Sequence, residues 1–148
     1  MCGIVGYIGE NPSKEFIIDG LKKLEYRGYD SAGIMLYSDK AYLKKAKGKI
    51  YNLEKKLSEK KLNKAKVGIG HTRWATHGIP SFSNSHPHKS NSGDLYIVHN
   101  GIIENYESIK EILIKKGYKF YSDTDTEVLI NLIEDVKEVN KVKLGKAL

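Results

Sequence analysis

The amino-acid sequence predicts a mixed domain of the α/β or α+β class, and two observations lead to that prediction. Short apolar segments typical of strands alternate along the chain with segments whose apolar residues recur at helical spacing. Apolar residue types make up 40% of the 148 residues, which is enough for the buried core of one domain. Periodicity alone does not choose between the two classes.

Four strands are predicted in the first half of the chain, each from a short apolar run: 3–8, 32–38, 42–47 and 67–72. A helix is predicted between the first two strands, because Asn-Pro-Ser at 11–13 is a typical helix start and Gly28 can end the helix. Its apolar face consists of Phe16, Ile17, Leu21 and Leu24. Before the fourth strand, a short lysine-rich helix is predicted from the shared face of Leu53, Leu57 and Lys61.

The second half begins with a loop at 73–93, which is rich in Gly, Pro, Ser, Asn and His and has no usable period. A loop of roughly twenty residues in a compact domain usually has a function or is disordered. A strand and a helix are predicted next, at 95–99 and 106–116. Thr124 and Glu127 then have the spacing of a capping box, which predicts a second helix that continues to Val136.

The formal charge of +7 is concentrated in one segment. Residues 40–66 contain eleven lysines and two acids, a local charge of +9, so the rest of the chain carries −2. A basic segment of this kind can bind nucleic acid. This one offers only Tyr42 and Tyr51 for base stacking and no arginine for base edges. We therefore favour a solvated surface and expect no nucleic-acid partner.

The sequence also lacks the signatures of membrane insertion and export. No apolar run approaches the ~20 residues of a membrane span, and the N-terminus has no charged region before an apolar stretch. We expect a soluble protein without membrane contact. The single cysteine excludes an internal disulfide framework.

Cys2 follows the initiator Met and precedes the first strand. An isolated cysteine is most often a small buried apolar side chain. If Met1 is removed, however, the chain begins with a thiol and a free α-amine on one residue. The amine titrates near ~8 and a free thiol near ~8.5, so the amine can take the thiol proton close to neutral pH. This is the arrangement of an N-terminal nucleophile. From the residues alone, both interpretations stay open.

Arg73 is one of only two arginines and stands at the start of the long loop. It is either a surface ion-pair partner or a side chain selected for its planar, two-pronged geometry, which fits a carboxylate. Its neighbour Trp74 is either part of the core or a wall that keeps water from a site.

Polar residues also flank the later elements. Asn100–Gly101 is either a hairpin turn or, because a helix follows, a pair of donors for an oxyanion. Asp123 and Asp125 flank the start of a helix, where carboxylates cap the helix or, alternatively, hold a substrate ammonium group.

All five histidines lie between His71 and His99. His86 and His88 form a His-x-His pair, but no nearby cysteine or carboxylate cluster completes a ligand set, so we expect no metal site.

Six sequence blocks together resemble the glutaminase domain of the glutamine–fructose-6-phosphate aminotransferases (glucosamine-6-phosphate synthases), which are class II amidotransferases. In order, they are Met-Cys-Gly-Ile-Val-Gly (1–6), Tyr-Arg-Gly-Tyr-Asp-Ser-Ala-Gly (26–33), His-Thr-Arg-Trp-Ala-Thr-His-Gly (71–78), His-Pro-His (86–88), His-Asn-Gly-Ile-Ile-Glu-Asn (99–105) and Thr-Asp-Thr-Glu-Val (124–128). The related phosphoribosylpyrophosphate amidotransferases share the first block and are expected to differ in the third and fifth.

The resemblance implies an α+β fold, the αββα four-layer sandwich of the N-terminal-nucleophile hydrolase type. It implies that Cys2, after removal of Met1, is the nucleophile with its own α-amine as base. Glutamine would be hydrolysed through a γ-glutamyl thioester, with release of ammonia. The side chain of Asn100 and the backbone N–H of Gly101 would form the oxyanion hole.

The remaining implied roles are glutamine binding and support of the site. Arg73, Thr76 and His77 would hold the α-carboxylate of glutamine, and Asp125 its α-amine. Trp74 and the loop after Arg73 would cover the site and help pass ammonia onward. Arg27 and Tyr29 would support the site near the nucleophile. The resemblance implies no metal or other cofactor.

For the whole protein, the resemblance implies that residues 1–148 are the N-terminal part of a type 2 glutamine amidotransferase domain. A sugar-phosphate isomerase module would follow in a cytoplasmic homodimer that converts fructose 6-phosphate and glutamine to glucosamine 6-phosphate and glutamate. We then expect this chain to be truncated at its C-terminus and to lack the later strands of the sandwich. The alternatives are the glutaminase domain of another class II amidotransferase and a non-catalytic fragment.

Overall fold

The structure is a computed structural model that describes residues 2–58, 60–74 and 79–148. In chain order its strands and helices are β1 (Gly3–Ile8), α1 (Ser13–Leu24), β2 (Ser31–Tyr37), β3 (Ala41–Lys47), α2 (Ile50–Glu54), β4 (Val67–Arg73), β5 (His88–Lys89), β6 (Tyr96–Ile97), α3 (Tyr106–Lys115), α4 (Asp125–Asn140) and α5 (Leu144–Ala147). Short 3-10 helices lie at Glu25–Arg27 and Lys60–Lys64.

The described strands form two antiparallel sheets. The larger sheet has the order β1-β4-β2-β3, and β5 and β6 form a separate hairpin. Thr72 of β4 pairs with both Gly3 of β1 and Ala32 of β2. Because side chains alternate between the faces of a strand, His71 and Arg73 project from the opposite face to Thr72. By the same register, Cys2 lies on the face that carries His71 and Arg73.

Helix α1 packs on the face of the larger sheet that carries Thr72. Ile17 and Leu21 of α1 are fully buried and lie over Gly70 of β4. A Cβ at Gly70 would come within 2.5 Å of Ile17 Cγ2, so glycine is needed for the helix to lie this close to the strand. The core continues into β2, β3 and the segment around α2 through Ile34, Leu36, Ala46, Ile50, Leu53, Leu57 and Leu62.

The opposite face of the larger sheet, which carries His71 and Arg73, meets the β5–β6 hairpin. A Cβ at Gly33 of β2 would lie only 2.0 Å from the main-chain oxygen of His86, just before β5. Helix α4 packs against the hairpin, and α3 packs beside α4. The layers therefore follow the order helix, sheet, sheet, helix. This is the αββα sandwich that the sequence blocks imply.

The strand predictions for the first half agree with the structure to within one residue at each end. The apolar face of the first helix is partly wrong, since Phe16 is 53% exposed and Ile18 is buried. The lysine-rich helix is also shorter than predicted. Helix α2 ends at Glu54, and Leu57 lies between it and the 3-10 helix that begins at Lys60, so the buried Leu53 and Leu57 do not share one helix.

Two further predictions fail because the residues concerned bond to groups that the local pattern does not specify. Thr124 is the N-cap of α4 but makes no side-chain cap bond, since Thr124 Oγ1 lies 2.9 Å from His88 Nε2. Glu127 accepts main-chain N–H groups from Tyr121 at 3.0 Å and Ser122 at 2.7 Å instead of closing a capping box. The predicted long loop contains β5, which with two residues is too short to show a period.

Within the described residues, the longest helix, α4, has 16 residues, and none is long and apolar enough to cross a membrane.

Candidate active site

A cavity of about 410 Å³ opens where the start of β1 lies beside the end of β4. The loop at 99–102 and the start of α4 close its other sides. Of the ten residues to which the resemblance gives a role, seven line it: Cys2, Arg27, Arg73, Trp74, Asn100, Gly101 and Asp125. The fold thus brings together residues that are up to 123 positions apart in the chain.

The other three residues have different placements. Tyr29 does not line the cavity, but its ring meets Trp74 edge-on with 5.6 Å between ring centroids. Thr76 and His77 lie outside the described residues.

Cys2 is half-buried at the cavity wall, and its sulfur is held by the main chain of Trp74. The Trp74 N–H donates to Cys2 Sγ over 3.2 Å, and the thiol points to the Trp74 carbonyl oxygen at 3.6 Å. The next residue is anchored as well, because the Gly3 N–H donates to Thr72 Oγ1 over 3.1 Å. The thiol therefore has a defined position relative to β4.

Arg73 places a buried cation in the cavity wall. Its side chain is 4% exposed. Burial lowers the pKa of the guanidinium, and the acidic groups of Cys2, Asp30 and Asp125 oppose that shift. An arginine starts from so high a pKa that it stays charged at neutral pH. A cation in this position can bind an anionic ligand group with little competition from water.

Asn100 presents its side-chain amide to the cavity. Its Nδ2 donates to the Cys2 carbonyl oxygen over 3.1 Å, and its Oδ1 lies 2.8 Å from His71 Nε2. The hairpin-turn interpretation of Asn100–Gly101 is wrong, because β6 pairs with the preceding β5 and a loop follows Gly101. A Cβ at Gly101 would lie 2.7 Å from His99 Nε2, so a side chain here would require the His99 ring to move.

The two aspartates at the start of α4 have separate environments. Asp125 is buried and lines the cavity, and its Oδ2 accepts the main-chain N–H of Ile103 over 2.8 Å. Asp123 does not line the cavity and accepts a side-chain N–H of Asn84 over 3.2 Å. Asp125 thus offers a carboxylate near the helix N-terminus, opposite the end of β4.

Sequence reasoning gave a role to only one histidine, His77, although three others, His71, His86 and His99, line the cavity. The rings of His71 and His86 stack with 4.3 Å between centroids, and His88 meets His86 edge-on at 4.6 Å. The only signal in the sequence was their concentration in one stretch.

The rings of His71, His86 and His88 form a cluster that is uncharged near neutral pH. Burial lowers the pKa of His71 to about 4 and that of His88 to about 2, and it lowers the pKa of His86 further still. The positive charges of Lys45 and Arg73 add to the shifts of His86 and His88. Within the described part of the chain, no group of three or more His, Cys, Asp or Glu side chains is arranged to hold a metal ion.

Comparison with known proteins identifies the class. A family model described as the glutamine amidotransferase domain matches residues 58–142. The chain belongs to this family of glutamine amidotransferase domains.

More specific matches come from individual relatives. The glutamine–fructose-6-phosphate aminotransferase [isomerizing] of Pyrococcus horikoshii is 56% identical over 91% of this chain and 23% of its own length. The protein with the same name from Bacteroides thetaiotaomicron is 56% identical over 97% of this chain and 24% of its own length. The chain spans about a quarter of the length of these curated relatives.

Solved structures agree in fold. The glutamine phosphoribosylpyrophosphate amidotransferase from B. subtilis, complexed with ADP and GMP, matches with a TM-score of 0.81 and 30% identity over 99% of this chain and 31% of that one. A structure described as the allosteric regulatory enzyme of purine biosynthesis matches with the same TM-score and 28% identity. The sandwich is therefore of the N-terminal-nucleophile hydrolase type.

Proposed function

We propose that residues 1–148 form the N-terminal part of a type 2 glutaminase domain in which Cys2, freed by removal of Met1, hydrolyses the side-chain amide of glutamine. The observation that carries this proposal is the convergence on one cavity of the Cys2 thiol, the buried Arg73 cation, the Asn100 amide and the Asp125 carboxylate. These groups complement a substrate that has a reactive amide at one end and a carboxylate and an ammonium group at the other.

The chemical steps follow from the groups on Cys2. The α-amine takes the thiol proton, and the sulfur attacks the amide carbon to form a tetrahedral oxyanion. The C–N bond then breaks, the leaving nitrogen takes the proton back, and ammonia departs from a γ-glutamyl thioester. Water attacks the thioester while the α-amine takes one proton from it, and the α-amine then passes that proton to the departing sulfur, so glutamate and free Cys2 are released. The sum is glutamine plus water to glutamate plus ammonia.

The oxyanion of each tetrahedral intermediate receives hydrogen bonds from Asn100 Nδ2 and the Gly101 N–H. One hydrogen of the Asn100 NH₂ group is engaged by the Cys2 carbonyl, and the second is available to the substrate. A preorganised donor of this kind is typically worth 10²–10³-fold in kcat.

The α-carboxylate of glutamine binds Arg73, together with Thr76 and His77, and its ammonium group binds Asp125. Trp74 covers the bound substrate, and Tyr29 supports the Trp74 ring through the edge-on contact between them. Arg27 supports the cavity beside the nucleophile.

For the whole protein we propose the activity that the similar relatives are named for. A sugar-phosphate isomerase module on the same chain, in a cytoplasmic homodimer, would use the ammonia to convert fructose 6-phosphate to glucosamine 6-phosphate. The support is 56% identity to aminotransferases about four times as long as this chain.

The test is covalent labelling of the native protein, including any residues that follow Leu148, with an electrophilic diazo-ketone analogue of glutamine. Peptide mass spectrometry should find one adduct, on Cys2, in a peptide that lacks Met1. Excess glutamine should slow the labelling, and the Cys2→Ala variant should neither be labelled nor release ammonia. An adduct on any other residue, or ammonia release by Cys2→Ala, would refute the mechanism.

A further inference from the structure

Both ends of the Asn100 amide are hydrogen-bonded, and this fixes which end is which. Asn100 Nδ2 lies 3.1 Å from the Cys2 carbonyl oxygen, which can only accept a hydrogen bond. The NH₂ end must therefore face Cys2, and Oδ1 must face His71 Nε2 at 2.8 Å. Because Oδ1 is an acceptor, His71 has to donate from Nε2.

The surroundings of His71 support the same proton placement. Its Nδ1 is buried and has no hydrogen-bond partner within the described residues. A proton there would be a buried donor without an acceptor, whereas a bare lone pair is less costly. Burial also lowers the pKa of His71 to about 4, so the ring carries only one proton near neutral pH. That proton lies on Nε2.

The ring that donates this bond is itself held in place. His71 is 1% exposed on β4, and its ring stacks on His86 with an interplanar angle of 17°. His86 Nδ1 accepts the main-chain N–H of His99 over 3.4 Å. The two stacked rings thus hold the main chain just before Asn100 and the side chain of Asn100 itself.

We propose that His71 is a positioning residue for the reaction. Its Nε2–H keeps the Asn100 amide oriented with the NH₂ group, and not the oxygen, towards Cys2 and the developing oxyanion. This inference rests on the proposed function, because it acts through the oxyanion role of Asn100. Without the His71 donor, only the bond to the Cys2 carbonyl opposes rotation of the amide, and a rotated amide presents Oδ1 to the oxyanion, where it repels negative charge.

The test is a set of substitutions that differ in where they place a donor. His71→Gln puts an amide N–H near the original Nε2 position, whereas His71→Asn, equally polar, puts it near Nδ1. His71→Leu removes the donor. In the native protein we expect His71→Leu and His71→Asn to lower the kcat of glutamine hydrolysis at least tenfold, with KM changed less than threefold. The kcat of His71→Gln should be at least fivefold higher than that of His71→Leu or His71→Asn.

Two further readouts separate positioning from folding. Alkylation of Cys2 by iodoacetamide forms no oxyanion, so its rate should change less than twofold in all three variants. In an Asn100→Ala background, His71→Leu should lower kcat by less than a further twofold. If His71→Leu does not fold, the Gln and Asn pair gives the same comparison.

Each result has one meaning. Four results would overturn the inference and still leave Cys2 as nucleophile. The first two are an unchanged kcat in His71→Asn and an equal loss of kcat in the Gln and Asn variants. The other two are a loss of kcat on adding His71→Leu to Asn100→Ala as large as its loss alone, and slowed alkylation of Cys2. If Asn100→Ala alone leaves kcat unchanged, the oxyanion role in the proposed function is wrong, and the inference falls with it.

Discussion

Arg73 combines burial and charge at a single residue. Its side chain lies in the cavity wall at the end of β4, and the acidic groups of Asp30 and Asp125 partly offset the cost of its burial. A lysine at this position would keep the charge but could not form two parallel hydrogen bonds to a carboxylate. The proposed role of Arg73 therefore depends on its shape as well as its charge.

We expect Arg73→Lys to raise the KM for glutamine at least tenfold, because one of two parallel carboxylate bonds is lost, while kcat changes less. Steady-state ammonia release by the native protein measures both constants. The matched substrate control is glutamine with its α-carboxylate converted to an amide. The unsubstituted protein should discriminate strongly against this analogue, and Arg73→Lys should discriminate at least fivefold less. Equal effects of the substitution on both substrates would mean that Arg73 does not bind the carboxylate.

At the residue level, rarity in the sequence was informative about chemistry. The only cysteine and both arginines line the cavity. His71 could not be assigned in this way. Its interactions with Asn100 and His86 join residues far apart in sequence, and no local spacing encodes them.

Strand β2 shows how one element fixes the separation of two layers. Its residue Gly33 faces the main chain of His86, which leads into β5 on the second sheet. A main-chain oxygen cannot rotate away as a side chain does, so the sheets can approach this closely only if position 33 has no Cβ.

Gly33→Ala should lower the free energy of unfolding by about 1–3 kcal/mol, the usual cost of inserting a methyl group into packed structure. Its Cβ would lie 2.0 Å from the His86 oxygen, so the two layers must move apart. Urea unfolding followed by circular dichroism measures the change. Gly6→Ala on the edge strand β1 is the matched control, because a Cβ there meets nothing within 4 Å. Equal stability of the two variants would contradict the packing account.

The elements themselves were predictable where their signal is local. The bounds of β1 follow from an apolar run beside glycines, and β4 ends one residue beyond the predicted limit, at Arg73. The failures involve partners that the local pattern does not specify. Glu127 was assigned to a capping box by spacing, but it binds the Tyr121 and Ser122 N–H groups of the loop before α4. The two-residue strand β5 exists only because β6 pairs with it.

At the scale of the whole molecule, a cluster of neutral rings lies between the two sheets. His71 projects from the larger sheet, His88 belongs to the hairpin, and His86 stacks between them. The charged groups that face the cluster, Lys45 and Arg73, are both positive. Within the described part of the chain, no carboxylate is among the groups that shift these three pKa values, so the sandwich depends on these histidines being uncharged.

This arrangement predicts that acid destabilises the fold well before most carboxylates titrate. In the unfolded chain each histidine takes up a proton as the pH falls below about 6.5. In the folded state the pKa values of His71, at about 4, and His88, at about 2, lie far lower, and that of His86 is also strongly lowered. Below pH 6.5 the unfolded state therefore binds more protons, so stability that is complete above this pH is progressively lost. Each ring contributes about 1.4 kcal/mol per pH unit once the unfolded chain is protonated.

Three such rings should lower the free energy of unfolding by about 4 kcal/mol between pH 7.5 and pH 5.5, a large part of the 5–15 kcal/mol typical of a folded domain. Urea titrations at pH 7.5, 6.5 and 5.5 measure the loss. In His88→Gln, whose amide can still bond to Thr124, the pH dependence should shrink by about a third, because glutamine does not titrate. A free energy of unfolding that stays constant from pH 7.5 to 5.5, or a variant with undiminished pH dependence, would show that the rings between the sheets are protonated in the folded state.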